Sequence, residues 1–365
     1  MTPRLSVCIP THDGRADTLE EALDSVLGQI TPGLQSRVEV CISDNASKDG
    51  TRALVERLDW ERPGLIRYHR NPENLGFTRN LLNVVAMAQG DYCWLLSSDD
   101  VINPGGIARV LDALGAYPGL AGMTVFFHSL DRHLAGDEVP YPTVLLPADY
   151  EREQLLTSPA QIFRQCGSIM GYTSAQVLDR RLWCQTLRDV GETKFNGFRY
   201  FPYLYLFGHM VKRCPQWLWL PEKLVNSRGE NDYLSAHLGR NFIRYHLSTM
   251  EEVSRVWGEL FGRDSATYRH LMRANYTLLW NWFDLVRYKA RFPCDYGDDW
   301  AALVGFTRRL YFLPGFWATA FPVLLLPHSL IRRGADVARD LKLLRRAGAL
   351  RRALGRLRGR AGAPA

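Results

Sequence analysis

The sequence predicts an α/β protein built on a mostly parallel central sheet, with a helical extension at its C-terminal end. Three observations predict it. Strand-like and helix-like apolar patterns alternate through the first hundred residues. The strand-like runs are continuously apolar, as in strands covered on both faces. Polar residues collect just after these runs, and open parallel sheets bind ligands at the carboxyl ends of their strands. At 365 residues, 46% hydrophobic and 23% charged, the chain can bury a sizeable core. Length allows about two domains. Disordered, collagen-like and disulfide-scaffold classes are excluded, and a mean hydropathy of -0.19 excludes a many-span membrane protein.

Leu5–Pro10 reads as a buried strand that runs into Thr11-His12-Asp13. Thr18–Leu27 carries Leu19, Ala22, Leu23, Val26 and Leu27 at helical spacing. Val38–Ser43 is a second strand, followed by Asp44-Asn45. Asp49–Leu58 is a helix and Leu65–His69 a third strand. Phe77–Ala88 is a helix with Leu81, Leu82, Val84 and Val85 on one side. Tyr92–Ser97 is a fourth strand, ending at Ser98-Asp99-Asp100. The middle is less regular. Ile107–Leu114 reads as helix, Gly122–Leu130 as strand, and residues 131–150 as a loop with three Pro. Gln154–Gln165 is expected to be helical, Ser168–Thr173 extended and Ala175–Leu187 helical. From about Ser235 to Arg309 the pattern is helical and rich in Trp257, Trp280, Trp282 and Trp300. There is no internal repeat.

The seven cysteines, at positions 8, 41, 93, 166, 184, 214 and 294, form no CxxC pair and no metal-ligand spacing. They read as free thiols in a reducing compartment. The N-terminus leads straight into a strand pattern without a secretory signal, so a cytoplasmic protein is expected. From Leu330 onward, 11 Lys/Arg face 2 Asp/Glu, a net of +9 out of a total of +7, so the first 329 residues carry −2. The basic character belongs to the tail. That argues against nucleic acid as a partner of the body and for an anionic surface met by the C-terminus.

Pro10-Thr11-His12-Asp13-Gly14-Arg15 is neither GxGxxG nor a P-loop, which disfavours a dinucleotide-binding domain and a P-loop NTPase. Asp44, at a strand end, can accept from a base N–H or a sugar hydroxyl; it can equally serve the turn, with Ser47 and Asp49 capping the next helix. Asp99 and Asp100 are adjacent carboxylates at a strand end. They repel unless a cation is present, and a hard divalent ion shared with a diphosphate removes that repulsion. The plainer reading is a helix cap before Asn103-Pro104. Arg79 and Asn80 lie in the first turn of a helix after Gly76, where an anion is favoured; an ordinary capped helix start accounts for them as well.

Taken together the stretches are more specific. Ser6-Val7-Cys8-Ile9-Pro10-Thr11-His12-Asp13, then Ser43-Asp44-Asn45-Ala46-Ser47-Lys48-Asp49-Gly50-Thr51, then Asn71-x2-Asn74-Leu75-Gly76-x2-Arg79-Asn80, then Gly90-Asp91-Tyr92-x-Trp94-Leu95-Leu96-Ser97-Ser98-Asp99-Asp100-x3-Pro104 resembles the family 2 glycosyltransferases of the GT-A fold. The resemblance is strong over about residues 4–115 and loose over 120–230, where it is most similar to the abequosyltransferase-like members of bacterial polysaccharide synthesis. It implies a GT-A nucleotide-diphospho-sugar sandwich over residues 1–230, with a donor-binding half over 1–115 and an acceptor half over 116–230. A helical extension follows over 231–309.

The resemblance further implies that Pro10, Thr11 and Asp13 lie beside the nucleoside and that Asp44 reads the base. Arg79, Asn80 and Ser98 lie near the donor. Asp99, with Asp100, binds Mg²⁺ or Mn²⁺ bridging to the diphosphate. The implied reaction is inverting transfer of a glycosyl group to an acceptor hydroxyl. The leaving diphosphate needs a cation and the hydroxyl needs a base on the opposite face of the sugar.

Two departures stand out. The position two before Asp99, often Asp in the family, is Ser97. The segment Gly197–Pro202, where many members carry the Glu-Asp pair that supplies the base, holds no acid. Asp189 and Glu192 upstream and Glu230 and Asp232 downstream are the nearest candidates. Glu192 is preferred, with a solvated loop carboxylate as its plainer reading. Arg228 is a candidate diphosphate contact or an ordinary surface arginine.

Leu310 to Ile331 holds 22 residues without Asp, Glu, Lys or Arg. That is long enough for a bilayer core of about 30 Å, but three prolines and the excess Arg beyond it argue for an in-plane or re-entrant segment. The tail has Val337, Leu341 and Leu344, then Leu350, Leu354 and Leu357, among Arg339, Lys342, Arg345, Arg346, Arg352 and Arg356. This is the pattern of a basic amphipathic helix on anionic lipid. Residues 310–365 are therefore expected to associate with the cytoplasmic face of the plasma membrane. The acceptor expected there is a glycan on a polyprenyl diphosphate. Other readings are a sugar-nucleotide-binding or membrane scaffold without activity, which Ser97 and the missing acid would suit, and a sugar nucleotidyltransferase. The latter class normally carries a Gly-rich basic loop after the first strand, absent here.

Overall fold

The computed structural model describes residues 4–130, 149–198, 201–228, 242–279, 286, 289–290 and 296–340. Tyr200, Glu230, Asp232 and the tail from Leu341 lie outside the described residues. The chain divides into two compact units, Met1–Asn231 with Thr249–Leu278, and Asp232–Ser248 with Leu279–Ala365.

The first unit is organised by a nine-stranded sheet. Its first half alternates strand and helix: β1 (Leu5–Thr11), α1 (Ala16–Leu27), β2 (Val38–Asp44), α2 (Thr51–Glu61), β3 (Ile66–Arg70), α3 (Gly76–Met87), β4 (Tyr92–Leu95), a short β5 (Val101–Ile102) and α4 (Gly106–Ala116). β3, β2, β1 and β4 are neighbours and all parallel, with Cys8 of β1 opposite Cys41 of β2 and Leu95 of β4. Val7, Ile9, Val40, Ile42 and Trp94 are buried on these strands. α1 turns Leu19, Ala22, Leu23 and Val26 inward, which is the spacing that the sequence shows.

The second half comprises β6 (Gly122–Leu130), β7 (Gln154–Leu156), α5 (Pro159–Cys166), β8 (Gln176–Asp179), α6 (Arg180–Val190), a 3₁₀ helix over Glu192–Gly197, α7 (Pro202–Arg213) and β9 (Trp217–Arg228). β8 enters the sheet antiparallel between β4 and β6, and β9 lies parallel to β6. β5 and β7 pair antiparallel with β9. Six of the nine strands thus run one way. This is the mostly parallel α/β sheet expected from the sequence.

The middle departs from the expected elements in detail. Gln154–Gln165 is a three-residue strand and then a helix that starts at Pro159, where Ser158 caps by accepting from the Gln161 N–H. Ser168–Thr173 turns instead of extending. Ala175–Leu187 begins as strand β8 and becomes helix only after Asp179, which caps α6 by accepting from the Leu182 N–H. In the first and third cases a capping side chain marks a boundary that the apolar pattern runs across.

Helix Phe242–Phe261 contributes Met250, Val253, Val256, Trp257 and Leu260 to the core of the first unit, and Ala266–Leu279 contributes Tyr268, Leu271 and Met272. In the second unit, helix Tyr296–Leu310 is followed by a π-helical turn over Phe316–Ala320 and by helices Phe321–Leu325 and His328–Asp340. Lys289 is fully buried there, its ammonium donating to the carbonyls of Val323 (2.9 Å) and Leu324 (2.6 Å) at the end of a helix. Those carbonyls have no intrahelical partner of their own. Among the described residues no helix is long and apolar enough to cross a membrane.

Candidate active site

The loops at the carboxyl rim of the parallel strands hold one another. Asp13, after β1, accepts from the N–H groups of Lys48 (2.9 Å) and Asp49 (3.1 Å), after β2. Asp49 in turn accepts from the N–H groups of Gly14 (2.8 Å) and Arg15 (3.2 Å). Burial pulls the Asp49 carboxyl upward, but bonds from Thr51, Gly14 and Arg15 together hold it below its ordinary value.

Asp44 ends β2, fully buried. One carboxylate oxygen accepts from the Ser47 N–H (2.9 Å) and hydroxyl (2.5 Å), the other from the Tyr68 hydroxyl (2.7 Å), with Arg70 3.6 Å away. Burial first, then this bond, push the Tyr68 phenol well above its ordinary value. Asn80, also buried, donates to the carbonyls of Thr11 and Ser43 (3.0 Å each) and accepts from the Ser43 hydroxyl (2.7 Å) and from Asn71 (2.9 Å). It ties the ends of β1 and β2 to α3. Pro10 is half-buried at the end of β1. The Thr11 hydroxyl is buried without a partner among the described residues.

The two carboxylates after β4 have different partners. Asp99 is 4% exposed. It accepts from Arg15 at 2.6 Å on one oxygen and from the Ser97 hydroxyl on the other. Asp100, beside buried Ser98, accepts from the Tyr172 (2.6 Å) and Ser174 (2.6 Å) hydroxyls on one oxygen and from the Arg228 N–H (3.1 Å) on the other. Burial, then the charge of Asp99, raise Asp100 to about 6, against the bonds that it accepts. The Arg228 guanidinium pairs with Glu21.

Among the described residues no three His, Cys, Asp or Glu side chains gather as a metal cage. The donor set instead fits an ion that arrives with phosphate. Mg²⁺-type ions are held by one or two carboxylates plus substrate phosphates and water. Asp99, with the Ser97 hydroxyl beside it, offers that single hard-oxygen anchor. Both carboxylates have protein donors at both oxygens, Arg15 and Ser97 on Asp99 and Tyr172, Ser174 and Arg228 on Asp100.

Arg79 and Glu192 line one cavity of about 600 Å³ between the start of α3 and the 3₁₀ helix, with Phe77, Phe195 and Asn196 also on its wall. Arg79 donates to Asn196 (3.0 Å), and Thr78 donates to the Phe198 carbonyl (3.2 Å). Gly76 starts the helix in the left-handed region at φ 78°, a conformation that glycine adopts without strain. Asp189 pairs with Arg213 at 2.6 Å. Arg15, Tyr68, Tyr172 and Ser174 are rim residues to which the sequence reading gave no role, and Asn71 entered it only as a motif position. Arg15 carried one signal, its place in the turn after the first strand.

A mixed sheet whose parallel strands end at one rim of interlocked polar loops is the architecture of the GT-A glycosyltransferases, and solved structures agree in fold. The S. aureus TarS 1-349 complex with UDP-GlcNAc aligns at a TM-score of 0.54 and 14% identity, over 80% of this chain and 82% of that one. The mannosyltransferase PcManGT from Pyrobaculum calidifontis, in complex with GDP-Man and Mn²⁺, aligns at 0.51 and 18%, over 93% and 81%. Residues 6–176 match the Glycosyl transferase family 2 model, so this stretch is a family 2 glycosyltransferase domain. Abequosyltransferase RfbV of Salmonella typhimurium is 46% identical over 100 residues, 27% of this chain. The match spans 28% of that relative's length.

Proposed function

We propose that this chain is an inverting glycosyltransferase. It moves a sugar from a nucleotide-diphospho-sugar to a hydroxyl of a lipid-linked glycan in the synthesis of a bacterial surface polysaccharide. The single observation that carries this is the rim itself: Asp44, Arg15 and Asp99 stand on adjoining loops within the family 2 stretch. Residues 1–115 take the donor and 116–230 the acceptor. Pro10, the backbone of Thr11 and Asp13 frame the nucleoside, Asp44 lies toward the base, and Arg79, Asn80 and Ser98 line the approach. Asp99 anchors Mg²⁺ or Mn²⁺, and Asp100 supports that loop through its own network. A bound divalent ion supplies charge stabilisation for the leaving diphosphate. Glu192 takes the proton of the acceptor hydroxyl as the new bond to the anomeric carbon forms. The test is incubation with a panel of nucleotide sugars, read as released nucleoside diphosphate with and without Mn²⁺. Release with an acceptor glycan is expected. Binding without release across the panel would make the protein a sensor.

We further propose that the protein works as a peripheral protein on the cytoplasmic face of the plasma membrane. Exposed Tyr311, Trp317, Leu325, Leu326 and Leu330 support this, followed by exposed Arg332 and Arg333. An apolar wedge and basic charge together give stable peripheral binding. Flotation with phosphatidylglycerol-containing vesicles checks it: Trp317→Ser with Leu330→Ser lowers the bound fraction about tenfold, since each side chain withdraws apolar area worth about 1.5–3 kcal/mol when fully buried. An unchanged fraction removes the membrane reading.

A further inference from the structure

Arg15 is fixed at both ends of its residue. Its N–H donates to Asp49 at 3.2 Å, and its carbonyl accepts from the Leu19 N–H (2.8 Å) and the Thr18 hydroxyl (3.1 Å) at the start of α1. Its side chain reaches across the rim from the β1 loop to the β4 loop and meets Asp99 at 2.6 Å, with 12% and 6% of the two side chains exposed. A guanidinium has five N–H donors. Only one of those of Arg15 has an acceptor among the described residues. A cation with four unspent donors therefore sits on the carboxylate that the donor's own counter-ion would need.

The charges make this arrangement directional. With the rim empty, Arg15 neutralises Asp99 and relieves its repulsion with Asp100 next to it. A free divalent ion approaching Asp99 meets a positive charge on the same oxygen, and like charges a few ångströms apart in a shielded site repel strongly. A diphosphate reverses the balance. It offers the guanidinium a better acceptor, because planar N–H forks pair bidentately with phosphate oxygens. The backbone of Arg15 is held in place, so a change of partner would fall to its side chain.

We propose that Arg15 is the stand-in cation of the resting site. It occupies Asp99 until the donor arrives, then turns its guanidinium onto the diphosphate and yields Asp99 to the accompanying divalent ion. The proposal rests on the donor reading above. Arg15 thereby couples donor and metal binding, and the site does not load with metal alone. When the bond from the anomeric carbon to the diphosphate oxygen breaks, its electron pair stays on that oxygen, beside Arg15. The acceptor oxygen supplies the pair for the new bond and gives its proton to the base.

The test is Mn²⁺ binding to the full-length protein without nucleotide, followed by the electron paramagnetic resonance of the free ion. Arg15→Gln is expected to bind Mn²⁺ at least tenfold more tightly than wild type. Titration with UDP, GDP, CDP and dTDP in the presence of Mn²⁺ is the second arm. Arg15→Gln is expected to weaken the nucleotide that binds wild type at least tenfold. Arg15→Lys keeps the charge without the fork. It serves if Arg15→Gln melts early: Mn²⁺ affinity stays at the wild-type level while nucleotide affinity falls severalfold. Equal Mn²⁺ affinity in wild type and Arg15→Gln overturns the handover, as does full nucleotide affinity in Arg15→Lys. A wild type that takes none of the four nucleotides, with or without Mn²⁺, overturns the donor reading itself.

Discussion

In the half of the sheet made by β3, β2, β1 and β4, all strands run one way, and the loops after β1, β2 and β4 carry carboxylates to a common rim. In the half made by β8, β6 and β9, β8 runs against β6 and β9 and the space is filled by rings. Trp217 donates to the Thr124 hydroxyl, and Phe126 lies 5.6 Å from Trp219. The first half collects polar groups because parallel strands deliver every loop to the same end. The second buries large apolar area, the dominant favourable term in folding. The neighbouring carboxylates after β4 divide between the halves. Asp99 is held by Arg15 and Ser97 of the first. Asp100 is held by Tyr172, Ser174 and Arg228 of the second. On the proposed function, Asp99 serves the chemistry and Asp100 the seam.

The sharpest way to break that division is Asp99→Asn. Transfer, measured as released nucleoside diphosphate, is expected to fall about 10³-fold, near 4 kcal/mol of transition-state stabilisation, while circular dichroism stays that of the folded protein. Activity near wild type would remove Asp99 from the chemistry.

Asp100→Ala is expected to act on the seam and to cost about 3 kcal/mol in urea unfolding, because three buried donors lose their acceptor. Its titration gives a second handle. The folded-state value of about 6 lies above the ordinary 3.8 of a free Asp. The folded state therefore binds the proton more tightly, and the contribution of Asp100 is complete below about pH 4 and lost as pH rises through about 6. Asp100→Asn removes this slope, so the melting-temperature gap between variant and wild type should widen in the variant's favour from pH 4 to 6. A constant gap would show that Asp100 does not titrate there.

The same division governs what could be read from sequence. Strands β1, β2 and β4 were legible because each is a mostly apolar run closed by polar residues, with Asp44 and Asp99 at or just after their ends. Asp100 was legible as a rim carboxylate, but its partners were not. Tyr172 and Ser174 lie 72 and 74 residues along the chain, in a stretch whose short strand β8 runs without a turn signal into α6. Arg15 stood in the sequence only as the last residue of the turn after the first strand. Its meaning comes from the parallel pairing of β1 with β4, which no local pattern encodes. Asn80 was read as a ligand contact because of its place in a helix's first turn. Its amide is also bonded to Thr11, Ser43 and Asn71, partners that no local pattern announces.

Whether the second half contributes chemistry as well as packing is tested by Glu192→Gln. Glu192 is exposed at the start of its 3₁₀ helix, on the same cavity wall as Arg79. As the base it should lower turnover about 100-fold with little change in the KM for the donor or in stability. Unchanged turnover would leave the base to another acid.

The smallest effect is expected at Thr11, where the two kinds of work meet in one side chain. Its hydroxyl is buried without a partner among the described residues, while its carbonyl accepts from the Asn45 N–H and from Asn80, both at 3.0 Å. A buried hydroxyl that bonds to nothing is destabilising, and replacing it by a methyl of the same shape is near neutral or better. Valine also keeps the β-branched shape that suits a strand. Thr11→Val should therefore leave the urea midpoint unchanged or raise stability by up to about 1 kcal/mol, with nucleotide affinity within twofold of wild type. A tenfold loss of affinity at unchanged stability would mean that the hydroxyl turns outward to the donor. The unpartnered atom would then belong to the chemistry and not to the packing of the strand.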